Sequence, residues 1–247
     1  MRRLASRVDP HRINEVSDHF ARVGSAYEEV SFPGAGHAFV SEREVLAVRT
    51  AMRALRPGSS VLDVGVGTGR VTRALDPDRS LRVTAVDASA EMVEAARSNL
   101  PGVPVLRADL AAGLPFGDGS FDGAAAIRVL KWVPRWADAI AELTRVVRPG
   151  GRVVLEVANR RSVAGAGYRG APITTLTRRE VELAASRCGL VVRARWPGTR
   201  LPHALWSLAS SPTAARRLAA IELTLDVVVG TFAARSTIFG FEKVLST

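Results

Sequence analysis

Cysteine is almost missing from this chain. Cys188 is the only one in 247 residues, so an intramolecular disulfide framework is excluded. It stands just before Gly189 at an expected helix end and reads as a small buried hydrophobe. Lysine is nearly as scarce: Lys131 and Lys243 are the only two among 34 basic residues. The formal net charge of +10 is therefore an arginine charge. It lacks a compact basic cluster and an interleaved aromatic strip, which argues against a nucleic-acid track. The excess is concentrated after residue 157, with thirteen basic and five acidic side chains, and fits a moderately basic, substrate-facing surface. No uncharged apolar run approaches the ~18–20 residues that span a membrane. The first residues, Met1 to Asp9, contain no secretory apolar stretch, so the cytoplasm is the expected location. The histidines, His11, His19, His37 and His203, form no metal-ligand spacing, and no metal is expected. Repeats and low-complexity segments are absent as well.

What the chain does have is the run Val61-Leu62-Asp63-Val64-Gly65-Val66-Gly67-Thr68-Gly69. An apolar strand enters three glycines at alternate positions, and such a loop can bring bare backbone against a ligand. About twenty residues later a second apolar stretch ends in Val86-Asp87, the spacing at which an acid meets the ribose hydroxyls of a nucleotide-like cofactor. The dinucleotide fingerprint is G-x-G-x-x-G, whereas this spacing is G-x-G-x-G. Asp63, two residues before the first glycine, would repel a phosphate and attract an ammonium group. A cofactor with a positive charge and no phosphate fits best. A reductase taking NAD(P)H is the competing reading of a glycine loop.

Four further segments follow in order: Leu106-Arg-Ala-Asp109-Leu110, Phe121-Asp122-Gly123 running to Ile127, Arg148-Pro149-Gly150-Gly151, and the strand after it. With the glycine loop they cover residues 61–157. Together they resemble the class I S-adenosylmethionine (SAM)-dependent methyltransferases of small molecules. The resemblance implies a Rossmann-like α/β fold with a mainly parallel seven-stranded sheet in the order 3-2-1-4-5-7-6. It implies SAM as cofactor and S-adenosylhomocysteine as product. By the same resemblance Gly65, Gly67 and Gly69 admit the methionyl part and Asp63 orients its ammonium group. Asp87, with Ala88 beside it, takes the ribose hydroxyls. Met92 packs on the adenine, whose polar edge Asp109 and Leu110 read. Arg128 meets the cofactor carboxylate or an acidic acceptor, with a surface ion pair as the alternative. Where many members have a Leu-His-His-Val-like segment, this chain has Arg128-Val-Leu-Lys131-Trp132, so no base is carried over. His37, His203 and Tyr27 are the candidates for catalysis, with Tyr168 behind them. No Asn/Asp-Pro-Pro-Tyr run follows the fourth strand, and Cys188 lies away from it. A small organic or lipid-like acceptor, methylated on oxygen or carbon, remains. A cyclase or binding protein on the same fold is the alternative without methyl transfer.

Strand and helix patterns alternate from residue 61 onward, as parallel α/β folds require. Strands are expected at 61–65, 82–86, 103–107, 122–127, 152–157, 190–196 and 236–246. Helices are expected at 68–75, 90–99 and 135–147, and from a capping box at Thr177-Arg-Arg-Glu180 to Gly189. Residues 12–30 read as a helix carrying Phe20, Val23 and Tyr27. A break at 33–36 precedes a second helix over 41–55 with Ser41 as its cap. The chain thus divides into a helical cap at 1–58, a cofactor-binding α/β domain at 59–197 and 235–247, and a helical insert at 198–234 that serves as acceptor lid. Within the insert, Leu218, Ile221, Leu225, Val228 and Phe232 share one helix face. That face is expected to pack on the core. Interfacial docking with Trp196 and Trp206, on a membrane, is the alternative.

Overall fold

The computed structural model describes residues 34–75, 80–162 and 173–244, with the side chain of His203 left out. Eight strands form one sheet. β1 (Ser60–Val64) lies between β2 (Arg82–Asp87) and β4 (Phe121–Ala126), and β3 (Val105–Arg107) flanks β2. β5 (Val147–Asn159) lies parallel to β4, and the two-residue β6 (Thr175–Leu176) pairs with the end of β5. β8 (Ser236–Lys243) runs antiparallel between β5 and β7 (Leu190–Pro197). The order β3-β2-β1-β4-β5-β8-β7 is the expected one, with the short β6 added to the count. The central strands are buried on both faces, which is why they read as continuous apolar runs.

Helices α1 (Gly34–Met52) and α2 (Arg70–Leu75) share one core cluster with Val61, Ala125, Val154 and Ile238. α3 (Ala90–Asn99) packs near β2 and β3. α4 (Trp136–Val146) and α5 (Arg178–Arg187) contribute to the cluster around Leu62, Leu155 and Phe239. The insert contains α6 (His203–Leu208) and α7 (Pro212–Val229), and both pack on α1. The capping box at Thr177 and Glu180 forms as expected, and Ser89 caps α3 by accepting from the Met92 N–H.

Two expectations are overturned. Most of the expected break at 33–36 is helical: α1 is described from Gly34, itself left-handed at φ +73°, and Ser41 lies inside the helix and does not cap it. The cause is tertiary. The Gly36 N–H, an otherwise unfilled first-turn donor, reaches the Ala209 carbonyl at 3.2 Å. A Cβ on Gly36 would stand 2.2 Å from the Trp206 carbonyl oxygen. Glycine is thus what lets α1 touch α6, and packing outweighs its poor helix propensity. The expected helix over 12–30 lies outside the described residues.

The second correction concerns α7. Its expected apolar face packs only in part: Leu218 and Leu225 are half-buried, but Ile221 is 50% exposed, Val228 72% and Phe232 65%. The stripe turned inward holds Ala215 and Glu222 instead. Glu222, fully buried, accepts the backbone N–H groups of Arg200 (2.7 Å) and Leu201 (2.6 Å). Asp226, one turn on, pairs with both Arg43 and Arg200 at 2.7 Å. Polar partners at the end of β7 and on α1 therefore decide which face of α7 is inside. Replacing Glu222 with Ala leaves two buried N–H donors and the Arg200 guanidinium short of an acceptor. We expect a loss of about 3 kcal/mol, the scale of breaking a buried charged network. Urea unfolding of Glu222→Ala against wild type checks this, and a change below ~0.5 kcal/mol, typical of an inert surface site, would refute it.

Candidate functional site

The site grows from the bend after β1. Gly65 has φ +74°, and a Cβ there would lie 2.2 Å from the Val129 side chain just beyond β4. The bend therefore closes only over glycine. Its N–H and that of Val66 both donate to the Val86 carbonyl (2.8 and 3.0 Å), fastening the loop to the end of β2. Gly67 donates to Asp87 Oδ2 at 2.9 Å. Gly69, with φ +97°, closes a turn onto Val66 and leads into α2. The loop lies where the chain turns from β1 toward β2 on one side and β4 on the other, the crevice in which open α/β sheets bind ligands.

Asp63 is 1% exposed in the middle of β1. Its Oδ2 accepts the Thr72 hydroxyl at 2.5 Å, in the first turn of α2. Burial pushes its carboxyl up to about 6, against the pull of Thr72 and the Arg70 guanidinium. Asp63 thus clamps strand to helix across the glycine bend. Thr72, its partner, carried no signal in the sequence. Asp87 accepts from Gly67 and, at 3.0 Å, from the Ser89 N–H. Burial raises its carboxyl, these N–H groups lower it, and the charge of Asp109 raises it further. Asp109 is exposed and accepts from the Ala111 N–H at 2.8 Å. Met92 and Leu110 are buried, and the exposed Ala88 offers its carbonyl to Arg107 at 3.1 Å. The glycines, Asp63, Asp87, Ala88, Met92, Asp109 and Leu110 are all set at the C-terminal ends of β1, β2 and β3 or just beyond.

Arg128 follows β4 in a left-handed conformation, φ +65°, an uncommon geometry for a non-glycine residue that gathers at functional sites. Its side chain is 18% exposed and grips Glu44 of α1 at 2.8 Å, so this ion pair is a buried one and not a surface one. Arg70 holds the other Glu44 oxygen at 2.6 Å. Burial would raise the Glu44 carboxyl, but the two guanidinium groups hold it below its ordinary value. Beyond this triad opens a cavity of about 100 Å³ at the ends of β4 and β5. His37, Arg128, Lys131, Glu156, Trp206 and Arg235 are on its wall. His37 is buried and hydrogen-bonded to Ser207 at 3.1 Å. Lys131 is pushed down to about 8, first by burial and then by Arg128, with Glu156 and Glu44 opposing. Tyr27 and Tyr168 lie outside the described residues. The backbone of His203 opens α6.

Sequence reasoning missed Glu44 and Glu156. A signal existed for Glu156: a lone carboxylate inside Val-Val-Leu-Glu156-Val demands a buried partner or a ligand. Trp206, which only the membrane alternative places at a surface, is fully buried and stacks on Phe39 at 5.2 Å between ring centres. Trp196 packs beside Gly240 and the α1 cluster. Cys188 packs against the core, and burial pushes its thiol up. No cluster of metal-ligating side chains occurs among the described residues.

Residues 62–155 match the methyltransferase domain family model. Over those residues the chain is similar to a methyltransferase domain, and its sheet order is that of the class I SAM-dependent methyltransferase fold. The demethylmenaquinone methyltransferase of Tropheryma whipplei is 31% identical over 63% of this chain and 64% of its own. The chain spans about half the length of the curated relatives it matches. Among solved structures, a methyltransferase in complex with the Haloferax volcanii Trm112 methyltransferase activator aligns with a TM-score of 0.69 at 20% identity, over 94% of this chain and 99% of that one. Haemonchus contortus phosphoethanolamine N-methyltransferase 2, solved with S-adenosyl-L-methionine, aligns at 0.61 and 20% identity over 81% and 52%. At that identity the structures share the fold.

The residues present suit the family's cofactor, SAM. A side chain at Gly67 would meet nothing within 4 Å, so the loop borders open space beside the Asp87 carboxylate. That acid, at the rim of the loop, suits the hydroxyls of a nucleoside and would repel a phosphate.

Asp63 has a pH signature. Its carboxyl is higher in the folded chain, about 6, than its ordinary 3.8, so folding favours its protonated form. Its contribution to stability is present below pH 3.8 and is lost as pH rises toward 6. Asp63→Asn keeps the Thr72 bond and removes the titration. Melting temperature measured from pH 4 to 7 should show the variant gaining on wild type across that window. A constant difference would refute the assignment.

Proposed function

We propose that the protein is a methyltransferase that moves the methyl group of SAM to a small organic acceptor, on oxygen or carbon. The observation that carries this reading is the acid-flanked glycine bend at the switch point of the sheet, with a polar cavity next to it at the ends of β4 and β5. SAM supplies an activated methyl group. The chain's task is then to hold and align the two partners and exclude water. In this reading Asp87 holds the ribose hydroxyls by charge-assisted bonds. Gly65, Gly67 and Gly69 give backbone access, Met92 and Leu110 flank the adenine, and Asp109 reads its edge. Asp63 acts through Thr72 and the shape of the bend. Glu44 orders Arg70 and Arg128 between the cofactor crevice and the cavity. The described part of the cap, from residue 34 to 58, and the insert at 198–234 form cap and lid over the α/β domain, which is supported by the packing of α1 on α6 and α7. The lone cysteine fits a cytoplasmic place of action.

Calorimetry tests this directly: SAM should bind and NADPH should not. Asp87→Ala should weaken SAM binding by about 1.5–3 kcal/mol, the worth of a hydrogen bond to a charged group. An unchanged affinity in the folded variant would misplace the ribose. Bound SAM that never yields S-adenosylhomocysteine with any acceptor would favour a cyclase or binding protein on this fold.

The exposed face of α7 supports a second reading, a lipid-like acceptor met at a membrane surface. Val227 is 88% exposed and Leu208 76%, alongside Ile221, Leu223, Val228 and Phe232. No described helix is long and apolar enough to cross a membrane, so the contact would be interfacial, with the arginine excess favouring anionic lipid. Flotation with phosphatidylglycerol vesicles should carry the wild type upward and leave Val227→Glu behind. Wild type remaining wholly in solution would remove this reading.

A further inference from the structure

Among the described residues, three that line the cavity between α1, α6 and the ends of β4 and β5 carry a buried polar atom without a hydrogen-bond partner: Glu156 Oε2, Trp206 Nε1 and Nε of Arg43, whose other guanidinium nitrogens are engaged by Asp226 and the Pro197 carbonyl. Glu156 is 8% exposed and Trp206 0%, and both residues line the same cavity. A buried acceptor and a buried donor left unmatched each cost stability. Something that enters the cavity and satisfies both would recover that cost.

Glu156 Oε2 and Trp206 Nε1 ask for opposite things, and Arg43 Nε, like the indole, asks for an acceptor. A carboxylate oxygen accepts only, and an indole N–H donates only. A ligand carboxylate would suit Trp206 but meet Glu156 as a like charge. An ammonium group would suit Glu156 but leave the indole unmatched, and it would face Arg128, Lys131 and Arg235 on the same wall. A hydroxyl answers both, since its oxygen donates once and accepts twice. The rest of the wall narrows the carrier of that hydroxyl. Val40, Ile173, Ile238 and the Trp206 ring present apolar surface, and Trp206 is held in place by its stack on Phe39. The volume, about 100 Å³, is somewhat below the ~150 Å³ apolar cavity that accommodates benzene. It therefore buries one ring or less, with the remainder of a larger molecule toward the opening.

We infer that this cavity is the acceptor subsite and that it recognises a hydroxyl on an apolar ring, the O–H donating to Glu156 Oε2 and the oxygen accepting from Trp206 Nε1–H. The inference rests on the methyltransferase reading above and names its acceptor class, a phenol or enol. Glu156 is then a contact residue of the acceptor, and Lys131, Arg128 and Arg235 on the same wall lend positive charge to a hydroxyl oxygen whose proton passes to Glu156 as the O–H bond breaks.

Fluorine NMR titration of the full-length protein with 4-fluorophenol and 4-fluorotoluene isolates the hydroxyl, because the two probes match in size. The phenol should bind at least about tenfold more tightly, the scale of one hydrogen bond to a charged group. Glu156→Gln should remove most of that advantage. Trp206→Phe, which keeps the stack and deletes the N–H, should weaken the phenol about threefold and leave the toluene unaffected. Calorimetry with S-adenosylhomocysteine serves as the control and should give the same affinity in all three proteins. Equal binding of the two probes to wild type, no binding of the phenol, or an unchanged phenol affinity in a Glu156→Gln protein that still binds S-adenosylhomocysteine would each overturn the inference. If Glu156→Gln does not fold, the probe pair on wild type and Trp206→Phe decides. Wild type that binds the phenol selectively but not S-adenosylhomocysteine would instead overturn the methyltransferase reading.

Discussion

A single buried carboxylate, Glu44, joins the parts of this site. It sits on α1, yet its two oxygens are taken by Arg70, at the start of the helix that follows the glycine bend, and by Arg128, at the end of β4. Burying a carboxylate is costly unless it is paired and hydrogen-bonded. Glu44 meets that condition only when three separate elements arrive together. The left-handed backbone at Arg128 is part of the same requirement, because it follows directly from β4 and precedes Val129, whose side chain closes against Gly65. The crevice at the first strand and the cavity at the fourth and fifth thus share one electrostatic joint.

The two halves of the site differ in how they treat charge. At the crevice the functional groups are acids whose carboxyls are raised by burial, Asp63 and Asp87, and backbone N–H groups supply the compensation. At the cavity cations crowd the wall, and Lys131 is pushed down by burial and by Arg128. A cationic cofactor beside the first and an ionisable hydroxyl beside the second would each be placed in the field that favours it. This division agrees with in-line transfer between an electron-poor donor and an electron-rich acceptor, in which alignment carries most of the catalytic burden.

The insert shows how a surface helix is oriented by polar rather than apolar contacts. Glu222 and Asp226 lie one turn apart on α7, and between them they gather Arg43, Arg200 and two backbone N–H groups. Contiguous exposed apolar patches usually mark contact with another surface. Leu208, Val227 and Phe232 form such an exposed set on the described part of the chain.

By itself the sequence determined the order of the main strands and helices from residue 60 onward, short β6 and α6 excepted, together with the glycine bend and the acids at the ends of β1 and β2. These follow from local rules: apolar runs bounded by turns, a capping box, glycine at positive φ. Tertiary structure decided the rest. The start of α1 at Gly34 depends on the Ala209 carbonyl, the inward face of α7 on arginines from elsewhere in the chain, and the role of Asp63 on a threonine in the next helix. Glu44, Glu156 and Trp206 came together from α1, β5 and α6, over more than 150 positions of chain. Periodicity reports which residues share a face, but a buried charge finds its partner only in three dimensions, and that partner outweighs the local pattern.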